Sequence, residues 1–160
     1  MTGTLQIEKG LSMEIKALMT DGQDIRGRFF LSDQAQNHYG QEYLLEVLNH
    51  TDDRFIPFMM DDDETVVLMQ KTRIVGLQPS DLKDHDWPHA GSANQASWPA
   101  AQIIMAGRTV DGWAFTGDLQ PENRRLTDLL NRCDSFFFFD SDSGPWIINK
   151  THLNFLVPQS

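Results

Sequence analysis

The residues best able to bind a metal lie in three short segments of the chain. Asp61–Glu64 and Asp140–Asp142 offer carboxylates, but neither has the carboxylate spacing around a central glycine of an EF-hand loop. The segment 84–89 (DHDWPH) places two imidazoles and two carboxylates close together, which is a set that transition metals bind. Because Pro88 prevents helical spacing of the two histidines and no cysteine lies nearby, we predict no dedicated metal site.

A catalytic nucleophile is equally hard to find. The single cysteine, Cys133, follows a predicted helix end, and the negative end of a helix disfavours the thiolate that a nucleophile needs. The chain has no Gly-x-Ser-x-Gly motif and no phosphate-binding Gly-x-x-x-x-Gly-Lys-Ser/Thr loop. We therefore predict a protein that is not an enzyme and has no cofactor. An enzyme working between two halves of the chain is kept as an alternative.

Composition and charge point to an ordinary globular protein. The 160 residues are 40% hydrophobic and 22% charged, with a formal net charge of −10, which opposes attraction of a phosphate backbone. One cysteine allows no disulfide within the chain, which fits a reducing compartment. The N-terminus lacks the pattern of a secretory signal and no apolar run is long enough to span a bilayer, so we predict a cytoplasmic protein with no membrane contact.

The chain is organised by an internal repeat. The segment 44–79 returns between residues 126 and 158, and the match extends upstream, where DGQDIRGRFF aligns with AGRTVDGWAF. Equivalent glycines, Gly22 with Gly107 and then Gly27 with Gly112, keep a constant separation, and the spacing shrinks only in loops. Asn49 corresponds to Asn131, and Lys71 to Lys150, in the same alignment.

The periodicity predicts a mainly β (α+β) fold of two tandem ββαβββ repeats. In the first repeat, strands are predicted at 13–19, 24–31, 55–60, 65–69 and 73–78, with a short helix from Leu44 to Asn49. Pro57 cannot donate to a ladder, so its strand is expected at a sheet edge or at a bulge. The repeats are predicted at 1–79 and 100–160, with a linker at 80–99 that is rich in turn-forming residues.

The most apolar stretch suggests an interface. Four consecutive phenylalanines, 136–139, place two rings on each face of a strand, and one face can fill a core while the other needs a cover. That cover is either the sister repeat or another subunit. We name Phe55, Phe58, Phe137 and Phe139 as the predicted interface residues.

The first hairpin resembles the first sequence motif of Sm-like proteins. Gly22-x-x-Ile25-x-Gly27 matches its glycine spacing, and Asp33 and Asn37 stand where that family carries Asp and Asn. The second copy has Asp118 but Glu122 in the place of Asn, and both copies lack the Arg-Gly pair of the second motif. The second-copy phrase Leu-Asn-x-x-Asp-x-Phe is also similar to a family of uncharacterised bacterial small domains, which implies no activity.

The resemblance implies small SH3-like or Sm-like barrels, here in a pseudo-two-fold pair, and edge-to-edge strand pairing that would give a homo-oligomer. It also implies RNA binding through Asp33, Asn37, Lys71 and Lys150, although the aromatic ring that stacks a base is absent between the first two. Our main hypothesis is a non-enzymatic protein-interaction or regulatory module that binds a protein partner or itself. RNA binding is the alternative, against which the acidic charge argues.

Overall fold

The structure is a computed structural model that describes residues 12–30, 44–45, 48–49, 54–79, 98–115, 125–132 and 135–159. It is mainly β, as predicted, with ten strands in one antiparallel sheet. The first five strands are β1 (Ser12–Met19), β2 (Asp24–Phe30), β3 (Phe55–Met60), β4 (Val66–Gln70) and β5 (Ile74–Pro79). The last five are β6 (Ala100–Met105), β7 (Arg108–Ala114), β8 (Phe136–Ser141), β9 (Gly144–Asn149) and β10 (Phe155–Pro158).

Short helical segments connect some of these strands. The helix α1 (Leu126–Arg132) precedes β8, and residues 44–45 and 48–49 are helical before β3. Two 3-10 turns, Lys71–Arg73 and Lys150–His152, join β4 to β5 and β9 to β10. Among the described residues, no helix is both long and apolar enough to cross a bilayer.

The order of strands across the sheet is β10-β6-β7-β8-β9-β5-β1-β2-β3-β4. Each half of the chain thus arranges its own five strands in one order, with the fifth strand beside the first. The halves meet where β5 pairs with β9, with Gly76 opposite Ile148 and Leu77 opposite Ile147. We call this pairing the joint.

The joint links non-equivalent strands, the fifth of one half and the fourth of the other. A two-fold arrangement would pair a strand with its own counterpart, so the predicted pseudo-two-fold arrangement does not describe the joint. The strands form one sheet whose outer strands, β10 and β4, are not paired to each other. The arrangement as two small SH3-like or Sm-like barrels stays a prediction.

Two glycines allow neighbouring strands to approach closely. A side-chain carbon added to Gly27 of β2 would collide with the Met59 carbonyl and the Phe58 ring of β3. One added to Gly112 of β7 would collide with the Asp140 carbonyl of β8 in the same way. These positions require glycine for space rather than for an unusual backbone angle.

The joint lies between two hydrophobic clusters, one on each face of the sheet. Alternation along the four consecutive phenylalanines sends Phe136 and Phe138 into the first cluster and Phe137 and Phe139 into the second. The first cluster is otherwise built mostly from the first half of the chain, and the second mostly from the second half. The sister half is therefore the cover for one face of β8.

The expectation for Pro57 was wrong. Its strand β3 lies inside the sheet, between β2 and β4, and the proline pairs with Leu68. The ladder between β2 and β3 ends at the pair of Phe29 with Phe58, so Pro57 lies just beyond it. A missing backbone N–H is tolerated there because no ladder bond is needed.

Candidate functional site

Side-chain amides fasten the two halves together at the joint. The Phe136 backbone N–H donates to Asn49 Oδ1 (2.8 Å), and Asn49 Nδ2 donates to the Phe136 carbonyl (3.1 Å). Asn149, which is buried, donates from Nδ2 to the Ile74 carbonyl (2.9 Å). These bonds satisfy backbone groups that pairing of the strands leaves over, so the amides have a structural function.

A cavity of about 360 Å³ opens beside these amides. It is where the active site would lie if the chain were an enzyme working between its two halves. Its lining includes three basic side chains, Arg54, Lys71 and His152. The His152 ring hydrogen-bonds the Thr72 carbonyl. No carboxylate lines the cavity among the described residues, so a carboxylate-based acid–base pair is not assembled there from that part of the chain.

The residues of the RNA-binding alternative are only partly described. Asp33 and Asn37 lie outside the described residues. Lys71 is buried in the first 3-10 turn, and Lys150 Nζ donates to the Leu130 carbonyl (3.0 Å) at the last turn of α1. A lysine in that position stabilises the negative end of a helix, which is a structural use of its charge.

The acidic and histidine-containing segments do not build a metal centre in the described part of the chain. There, no group of three or more His, Cys, Asp and Glu side chains is close enough to hold an ion. The segment 84–89 and Cys133 lie outside the described residues. Hydrogen bonds from the Thr65 side chain and then from the Thr65 backbone N–H lower the pKa of Asp63, which fits a carboxylate that orders a turn.

Large apolar side chains are exposed at the outer strands of the sheet. On the β4 side, Phe55 is 50% exposed and Leu68 is 53% exposed. On the β10 side, Phe155 is 65% exposed and Val157 is 41% exposed. These four are the exposed large hydrophobic residues of the described chain, and they lie in β3, β4 and β10.

A groove of about 340 Å³ accompanies the β10 side. Leucines 130, 153 and 156, all half-buried, line it together with the exposed Phe155. We call this surface the leucine groove. Phe55 and Leu68, on the opposite edge of the sheet, we call the apolar ridge.

The predicted interface residues are divided between the core and the surface. Phe58, Phe137 and Phe139 are buried in the two clusters, and Phe55 is the accessible member of the set. Sequence reasoning missed Leu68, Phe155 and Val157. All three lie in the fourth or fifth strand of a half, near the end of each predicted repeat. That position could have identified them, because a sheet that does not close must have outer strands.

No protein-family model, no curated protein and no solved structure matches this chain.

Proposed function

We propose that the chain is a tandem duplication of one five-stranded unit and acts as a non-enzymatic protein-interaction module that binds extended strands at its β4 and β10 edges. The observation that carries this proposal is the presence of apolar side chains at both outer strands. Exposed apolar patches on otherwise polar proteins commonly mark interaction sites.

Identical registers in the two halves support the duplication. When the two halves are matched strand by strand, residues at equivalent positions have equivalent partners across each pair of strands. Gly27 lies opposite Met60 as Gly112 lies opposite Ser141, Phe55 opposite Gln70 as Phe136 opposite Asn149, and Ala17 opposite Leu77 as Ile103 opposite Leu156.

The edges themselves favour strand binding. An outer strand presents unpaired backbone N–H and C=O groups, and proteins usually protect such strands with charged residues, proline or bulges. The β4 strand, VVLMQ, contains neither charge nor proline, and β10 has proline only at its end. A partner strand added to either edge would gain backbone hydrogen bonds together with apolar contacts.

The proposed lack of catalysis is supported by the cavity at the joint. The amides that line it, Asn49 and Asn149, bond backbone groups across the joint. The described lining includes Ser135 and His152 but no carboxylate, so neither a Ser-His-carboxylate set nor a pair of carboxylates is assembled there from the described residues.

The proposal is tested by selecting displayed random peptides against the immobilised chain at a density too low for self-association. We expect enrichment of extended peptides with alternating apolar residues, because alternate side chains of an added strand face the same side. Their binding should weaken with Leu68→Lys or Phe155→Lys, depending on the edge used.

Thr109→Lys is the matched control, because Thr109 is exposed on β7, inside the sheet. Failure to enrich any peptide, or enrichment of peptides that bind all variants equally, would contradict binding at the edges.

A further inference from the structure

We infer that the strand bound at these edges is a second copy of this chain, with β10 of one copy pairing with β4 of the next in the register of the joint. This inference rests on the proposed function and names its partner. The two outer strands, β4 and β10, which we call the open edges, carry the counterparts of the residues that meet at the joint.

The apolar ridge is the exposed counterpart of a surface that the joint buries. In the second half, Phe136 is 4% exposed and Ile147 is 0% exposed, and both pack in the first cluster. Their equivalents in the first half are Phe55 and Leu68, which are half exposed. The same two strand positions are therefore apolar in both halves and are covered only where a neighbouring half is present.

The leucine groove is the counterpart of the surface that provides this cover. Leu48, Ile74 and Leu77 of the first half are buried in the same cluster as Phe136 and Ile147. Their equivalents in the second half are Leu130, Leu153 and Leu156, the three leucines of the groove. The groove thus has the composition and position needed to cover the apolar ridge of another copy.

The joint and the proposed contact each bring one large side chain against one small one, with the large one on opposite strands. At the joint, Gly76 lies against the ring of Trp146, and an added side-chain carbon would stand 3.0 Å from that ring. At the open edges the equivalent of Gly76 is the large Phe155, and the equivalent of Trp146 is the smaller Val67. One large and one small side chain would therefore meet in either case, which close packing requires.

Polar groups of the joint also have counterparts at the open edges. Asn131, the equivalent of the bridging Asn49, is exposed at the end of α1. Gln70, the equivalent of Asn149, keeps an amide at the end of β4. In the proposed contact, Asn131 of one copy would reach the backbone of Phe55 in the next, as Asn49 reaches Phe136.

The resulting contact is head-to-tail, because each chain offers one leucine groove and one apolar ridge. Repetition of such a contact gives a closed ring or an open filament, depending on the rotation between neighbours.

The test measures the molar mass of wild type and of edge variants, alone and mixed, by light scattering after gel filtration. Wild type should exceed the 18.3 kDa mass of one chain. Leu68→Asp and Phe155→Asp should each weaken association by about 100-fold or more, because a buried unpaired charge is costly. A mixture of the two should form a species of two chains, since Leu68→Asp keeps an intact groove and Phe155→Asp keeps an intact ridge.

Thr109→Asp should assemble like wild type, and unchanged circular dichroism would show that the edge variants fold. Phe155→Ser and Leu68→Thr provide uncharged substitutions at the same positions, with the same pattern expected at higher protein concentration. A wild type that stays monomeric, or edge variants whose mixture stays monomeric, would overturn the second-copy assignment. Peptide binding that persists in such a monomer would leave the interaction function standing without it.

Discussion

The two halves of the chain place the same strand positions in opposite environments. Ile147 lies in β9 at the joint and is fully buried, whereas Leu68 lies at the equivalent place in β4 and is 53% exposed. Phe136 and Phe55 differ in the same way. The local sequence pattern is shared, so the difference arises from whether another half is paired alongside.

The exposed apolar residues of the first half differ from ordinary surface residues. An isolated surface leucine or phenylalanine needs no explanation, since much of any protein surface is apolar. Here, however, Phe55 and Leu68 stand at positions whose counterparts, Phe136 and Ile147, are buried at the joint. The first half therefore exposes side chains at strand positions whose counterparts in the second half are buried at the joint.

The largest expected effect comes from placing the same polar residue at both positions. Ile147→Ser should lower the free energy of unfolding by about 4 kcal/mol, because it leaves a cavity and buries a hydroxyl group. Leu68→Ser should change it by less than about 1 kcal/mol at dilute protein, where the edge is solvated. Urea unfolding of the two variants measures both values, and equal losses would contradict the contrast between joint and open edge.

A second matched pair isolates the amide that bridges the halves. Asn49→Ala should cost about 2 kcal/mol, because it leaves the Phe136 backbone N–H and carbonyl without their partner. Asn131→Ala removes the same residue type at the equivalent helix end but no contact across the joint, so we expect a change within about 0.5 kcal/mol. Thermal unfolding at one dilute concentration gives the comparison, and a similar loss in both would assign the effect to helix termination.

The smallest expected effect is the dependence of stability on the charge of Asp140, whose counterpart in the first half is the neutral Met59. Burial, and then the nearby charge of Asp142, raise the pKa of Asp140. The folded state then holds its proton more tightly than the unfolded chain, so stability falls as pH rises through the folded-state pKa.

Asp140→Asn should therefore gain in melting temperature relative to wild type as pH rises from acid towards neutral. The corresponding gain in the free energy of unfolding should be a fraction of a kcal/mol, because the carboxyl is partly solvated. A difference that is constant with pH would show that the proton equilibrium of Asp140 does not contribute. Met59, its neutral counterpart in the first half, should show no such dependence when replaced by leucine.

Much of the fold could be predicted from the sequence because alternation and turn residues act locally. The strand expected at 55–60 is Phe55–Met60, and the two faces expected for the four phenylalanines are the two clusters. The pairing of β5 with β9 could not be predicted, since contacts between distant strands leave no periodic signal. Phe137 and Phe139 were predicted at an interface because they are hydrophobic. The cluster into which each of them packs is set by the register of β8, which hydrophobicity alone does not give.

The exposure of Leu68 and Phe155 could not be predicted from the sequence for a related reason. Both look like ordinary strand residues, and only the sheet order shows that their strands are the outer ones. The outcome for Pro57 has the same origin, because its tolerance depends on where one ladder ends. Asp33 and Asn37 lie outside the described residues, so their role in RNA binding stays a prediction.

The most direct measurement is disulfide cross-linking between two copies at the proposed register. Leu156 should lie opposite Leu68 of the next copy, as Leu77 lies opposite Ile147 at the joint, and directly opposite strand residues are close enough for a disulfide. Leu68→Cys and Leu156→Cys would be made in separate copies that also carry Cys133→Ser, then mixed under mild oxidation.

Asn154→Cys, exposed and two positions before Leu156, immediately ahead of β10, serves as the control for register. The account predicts that the mixture of Leu68→Cys with Leu156→Cys gives a covalent two-chain product much faster than Leu68→Cys with Asn154→Cys or than either variant alone. Equal rates for the two mixtures would contradict the claim that the open edges repeat the joint between copies.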